Sequence, residues 1–158
     1  MKAATVSELK KELNTRSEKE IIDLCLRLAK FKKENKELLT YLLYEADDET
    51  SYIRSVKAEI EESFAEINTS RVFYAKKTIR KILRTIKKYV RYSKKKQTEV
   101  ELLLHFCVNI KKLPNNIRRN RVVTNIYDGQ VRMMRKAMEK LHEDLQYDYG
   151  LELEELGI

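Results

Sequence analysis

Tryptophan is absent from this sequence, and proline, glycine, cysteine and histidine are scarce: one Pro, three Gly, two Cys and two His in 158 residues. Each shortage closes off a class of protein. Glycine and proline shape tight turns, so a chain poor in both reads as long helices joined by short links. The two cysteines, Cys25 and Cys107, have no C-x-x-C spacing. That leaves no disulfide framework, zinc knuckle or thioredoxin-like dithiol. Each sits in an apolar run, Leu24-Cys25-Leu26 and Phe106-Cys107-Val108, and both are expected as buried, reduced thiols. No run approaches the ~18 apolar residues of a membrane span. The opening Met1-Lys2-Ala3-Ala4-Thr5-Val6 lacks the apolar core of a signal peptide, and a cytoplasmic location is expected.

Catalytic and metal motifs are equally sparse. Glu139-x-x-His142 matches half of a paired di-iron signature whose other half is missing, and Glu101-x-x-x-His105 has the wrong spacing for it. His105 falls in an apolar run and is expected to pack in the core. His105 and Cys107 lie about 200° apart on one helix, so they cannot pair. Gly-rich phosphate loops, GxSxG and HExxH are all lacking. The expectation is a non-enzymatic protein with no cofactor.

What the chain has is charge and period. Charged residues make up 37% of it and apolar residues 42%, against a usual charged share of about 25%. The helix starts are explicit. Thr5-x-x-Glu8, Ser17-x-x-Glu20 and Thr98-x-x-Glu101 are capping boxes, in which a hydroxyl and a carboxylate satisfy opening amides that have no intrahelical partner. The second box opens a stripe of Ile21, Leu24, Cys25, Leu28 and Phe31. A break follows at Lys32–Asn35, with Asn35 as the next cap. The acidic turn Asp47–Thr50 suits a helix N-terminus, and the helix after it uses Ile53, Val56, Ile60, Phe64 and Ile67. Asn68-Thr69-Ser70 is a turn, the next helix runs to about Lys95, and Pro114 ends the one opened at Thr98. A last long helix covers about Arg121 to Tyr147, with Val122, Ile126, Val131, Met134, Met138, Leu141 and Leu145 inward.

Strand alternation is absent. Links this short make neighbouring helices antiparallel. The expected fold is all-α, an antiparallel helical bundle or a short stack of helical hairpins, with about six to seven helices. It forms a single domain over 1–149, followed by a loose acidic tail over 150–158.

Charge is concentrated in one place. Residues 1–70 carry a net −3, residues 71–122 a net +15, and residues 123–158 a net −4. With Ile79 at zero on a helical wheel, Val72, Ala75, Leu83, Ile86 and Val90 fall within about 40° of it. Lys77, Arg80, Lys81, Arg84, Lys87, Lys88, Arg91 and Lys95 fall between about 80° and 200°. One face is apolar and the other cationic. Like charges at i,i+4 repel by a few tenths of a kcal/mol each, so something is expected to offset them. Three partners fit. The first is nucleic acid, with Lys111, Lys112, Arg118, Arg119 and Arg121 extending the patch and Tyr92 stacking on a base. The second is the chain's own acid, Glu59, Glu62 and Glu66 across the turn and Glu152, Glu154 and Glu155 in the tail. The third is an acidic protein or an anionic membrane surface. Self-association is left open. The opening hairpin has the rhythm of a DNA-binding helix pair, but Glu18 and Glu20 at its second helix would repel phosphate, so an ordinary hairpin is expected there.

Ser7-Glu8-Leu9-Lys10-Lys11-Glu12-Leu13 followed by Ser17-Glu18-Lys19-Glu20 resembles a bacterial family of small helical proteins of unknown function, met among Bacteroides-type bacteria. Lys77-x-x-x-Lys81, the run Glu101 to Cys107, and Met134 to Leu141 share the resemblance. It implies an all-α cytoplasmic protein and brings no activity, cofactor or site residue with it.

Overall fold

A computed structural model describes all 158 residues. The chain is all-α, with nine α-helices, no strands and one π-helical turn at Tyr41–Glu45. It divides into two compact units, Met1–Tyr44 and Glu45–Ile158, a division that the expected single domain over 1–149 does not draw.

The first unit holds α1 (Val6–Leu13), α2 (Glu18–Phe31) and α3 (Lys33–Thr40). Both N-terminal capping boxes form as expected. Glu8 Oε2 accepts from the Thr5 amide at 2.7 Å, and Glu20 Oε2 accepts from the Ser17 amide at 2.8 Å. These bonds hold both carboxylates below the usual range. Between the two helices Arg16 bridges Glu12 at 3.7 Å and Glu20 at 3.5 Å. The break at Lys32 is real, but Lys32 itself opens α3 with no side-chain cap. Asn35, expected as that cap, lies inside α3, and its Nδ2 donates back to the Leu28 carbonyl at 2.9 Å. None of α1, α2 or α3 contains a buried residue, and Cys25, expected inside, is exposed.

The second unit holds α4 (Glu49–Ala65), α5 (Val72–Ser93), α6 (Lys96–Lys112), α7 (Asn115–Arg118), α8 (Arg121–Met138) and α9 (Glu143–Leu156). Its centre is α6, where Val100, Leu102, Leu103, Leu104, Phe106, Cys107 and Ile110 are all buried. Apolar residues take up about two thirds of its circumference and leave a narrow polar sector at Glu101, His105 and Lys112, so most of the helix must be enclosed. Lys57 reaches Glu101, Glu61 lies beside His105, and Phe64 meets Phe106 edge-on at 5.6 Å. These matched steps make α4 and α6 parallel. The Tyr52 hydroxyl donates to the Tyr89 carbonyl and the Ser93 hydroxyl to Glu49, so the end of α5 lies beside the start of α4 and the two helices run antiparallel. α5 buries Ala75, Ile79, Ile82, Leu83 and Ile86.

The corner between α5 and α6 is tied by one carboxylate. Lys94 takes a left-handed φ of 57° to reverse the chain. α6 then begins at Lys96, and Thr98 is already inside it. Thr98 was expected to cap this helix. Instead it is fully buried, and both its hydroxyl and that of Ser93 donate to Glu49 Oε1, while Lys95 Nζ lies 3.0 Å from Glu49 Oε2. A buried hydroxyl needs a partner more than a helix start needs a cap.

The C-terminal region also departs from expectation. The long helix expected over 121–147 stops at Met138, and His142 caps a new one by accepting from the Asp144 amide. The tail over 150–158 is not loose. Residues 150–156 are the second half of α9, where Leu153 is buried beside the equally buried Tyr149 of the first half, and Lys111 Nζ donates to the Leu156 and Gly157 carbonyls. A cation there satisfies the open carbonyl end of the helix.

Replacing Glu49 with Ala leaves two buried hydroxyls and an ammonium without their acceptor. It should lower stability by about 2–3 kcal/mol, read as an earlier urea midpoint, whereas Glu12→Ala on exposed α1 should leave the midpoint within error.

Candidate nucleic-acid interface

α5 is amphipathic because its apolar and charged residues each recur at three- and four-residue spacing. With the apolar set seated on α4 and α6, the opposite set must face water. Lys77, Arg80, Lys81, Arg84, Lys87 and Arg91 are all exposed, and none has an ion-pair or hydrogen-bond partner within the chain. Five of them, Lys77, Arg80, Arg84, Lys87 and Arg91, step by three, four, three and four residues into one line. At 1.5 Å per residue that line is about 21 Å long, with a charge roughly every 5 Å. Lys77, Arg80, Arg84 and Lys87 also border a shallow groove of about 430 Å³ floored by Leu83.

The expected internal neutralisation does not occur along this line. Glu59 accepts a hydrogen bond from the Tyr89 hydroxyl at 2.8 Å instead. No ion pair joins Glu62, Glu66, Glu152, Glu154 or Glu155 to α5. The first turn of α5 contains no acidic residue, and its start has no side-chain cap, so the positive end of its dipole adds to the same field.

Three expected site residues take other roles. Tyr92 is 8% exposed, with its ring edge-on to Tyr89 at 6.0 Å, and cannot stack on a base. Lys95 is held by Glu49. Lys88 is half-buried and sits over the Tyr89 ring, 4.9 Å from its centroid. The proposed extension of the patch is reduced too. Lys111 is bound at the end of α9, and Arg118 donates to the Lys111 carbonyl and to Asn115. The aromatic residue that does share the line is Phe73, four residues before Lys77 and 68% exposed. The spacing that selects the cations points to it equally, though a search for charge alone does not include it.

The other concentration of titratable groups lies between α4, α6 and α9. Glu101 accepts from Lys57 Nζ and from the Tyr149 hydroxyl at 2.6 Å. Burial raises its pKa, but the two donors outweigh burial and hold the carboxyl below its usual range. Burial also pushes the His105 imidazole down, against the opposing pull of Glu61 at 3.3 Å, and keeps the ring neutral. Burial alone pushes the Cys107 thiol up to about 12, which leaves it a poor nucleophile. This cluster is braced between helices by Lys57 and Tyr149, which both donate to Glu101. No three His, Cys, Asp or Glu side chains gather to hold a metal ion. Compared with known protein families, curated proteins and solved structures, the chain matches none.

Two predictions follow from these geometries. The cations of the line make no ion pair or hydrogen bond within the chain, so Arg80→Ala with Arg84→Ala should leave the urea midpoint unchanged or slightly raised, because like charges one turn apart are removed. The braced cluster adds a two-step acid response to that of the exposed capping carboxylates. An imidazole held below 6.5 and a carboxyl held below 4.5 both bind protons more readily in the unfolded chain. The stability these two groups contribute is therefore fully present above pH 6.5, declines as His105 protonates below that, and declines again below pH 4.5 as Glu101 does. His105→Gln should remove the upper step of a stability-against-pH curve and leave the lower one.

Proposed function

We propose that this chain is a non-enzymatic helical binding protein whose α5 face holds the phosphate backbone of a nucleic acid. One observation carries this reading: Lys77, Arg80, Arg84, Lys87 and Arg91 stand exposed in a single line with no acidic partner. A fold that only needed a solvated surface would gain by mixing the signs of its charges. Here a row of like charges is kept at helical spacing, and the repulsion among them is relieved only when an external polyanion arrives. A regular row suits a regular backbone better than it suits an acidic protein, whose carboxylates follow its own fold. Arginine adds bidentate contacts that match phosphate oxygens.

Five neutralised phosphates imply a salt slope of about −3.5 for single strands and −4.5 for duplex. Affinity for mixed-sequence DNA or RNA should therefore fall roughly 100- to 500-fold between 50 and 200 mM salt. The triple variant Arg80→Ala, Arg84→Ala, Lys87→Ala should flatten that slope by about 2–3 while keeping the fold. Absence of binding to both nucleic acids at 50 mM salt would refute the proposal and turn attention to an acidic protein partner.

A further inference from the structure

We infer that the ligand of this face is single-stranded nucleic acid, with an unpaired base stacked on Phe73 and the phosphates that follow it running along Lys77, Arg80, Arg84, Lys87 and Arg91. The inference rests on the nucleic-acid reading above and adds the form of the ligand.

The position of Phe73 is what carries it. On the wheel that places Ile79 at zero, Phe73 falls at about 120°, level with Arg80, Arg84 and Arg91 and far from the buried stripe. It is 68% exposed, although α5 already has a complete apolar face of its own. Its neighbour Tyr74, 47% exposed, meets it edge-on with ring centroids 5.5 Å apart. That edge-on contact is not a parallel stack, and the Phe73 ring stays mostly open to water. Phe73 also extends the cationic line with no change of step, four residues before Lys77, or about 6 Å along the helix.

An exposed ring at the head of a phosphate track is of little use to a duplex, whose base faces are covered by their neighbours. A single strand has open base faces, and an aromatic ring takes any of the four bases because each presents a π surface. The expected preference is therefore for single strands, with weak dependence on sequence.

The test is fluorescence anisotropy at 100 mM salt with a mixed-sequence 12-nucleotide single strand and the duplex of the same sequence. The full chain is compared with Phe73→Ala, Phe73→Leu and Phe73→Tyr, with circular dichroism confirming that each variant folds. The single strand should bind more tightly than the duplex. Phe73→Ala and Phe73→Leu should weaken the single strand about tenfold without changing its salt slope or the duplex affinity. Phe73→Tyr should restore binding, since it keeps the π face that leucine lacks. Single-strand affinity unmoved by Phe73→Ala, or duplex bound as tightly as single strand, overturns the inference. If the triple cation variant still weakens binding in that case, only the role of the ring falls. If neither form of nucleic acid binds, both readings fall together.

Discussion

The seating of Ala75, Ile79, Ile82, Leu83 and Ile86 against the neighbouring helices is the contact on which the second unit's outward chemistry depends. Ala75, Ile79 and Ile86 have no accessible surface at all. An α-helix is a rigid cylinder, so burying one stripe fixes the direction of every other side chain on it. The cations do not select their own orientation. They point to water because the stripe across the axis from them cannot leave the core without exposing several large apolar side chains, each worth about 1.5–3 kcal/mol when buried.

Much of this was legible from spacing. The capping boxes at Thr5 and Ser17, the break at Lys32, the stop at Pro114 and the extent of α5 all follow from side chains acting on backbone within a few residues. Two of the failures originate in contacts distant along the chain. Thr98 has the residue pattern of a cap, but Glu49, far away in sequence, takes its hydroxyl. The acidic segment after Gly150 has the composition of a loose end, yet Lys111 closes the helix it forms. A local pattern states what a residue can do, and the tertiary neighbour decides which option is used.

The candidate site divides in the same way. Six of the eight expected cations are exposed and unpaired, because the wheel that identifies the apolar face identifies its opposite too. Tyr92 fails because it was judged by sequence proximity to Lys88 and Lys95; its ring turns inward toward Tyr89. Phe73 shares the angle of the cations on the wheel, but only its 68% exposure shows that α5 leaves it outside. The expected acidic cover over α5 fails for a geometric reason. Glu59 turns to the Tyr89 hydroxyl, and neither the acids near the end of α4 nor those of α9 reach the row.

Because the row of charges and the buried stripe share one cylinder, they are locked to a single pitch. An insertion of one residue between Arg80 and Leu83 would rotate everything beyond it by about 100°. Arg84, Lys87 and Arg91 would swing away from the outer line, and Ile86 would swing away from the core. Changes of length in α5 are therefore intolerable, whereas changes of identity on its outer face are mechanically cheap. Natural variation in this segment should take the form of altered side chains at constant length, so that charge can drift while register cannot.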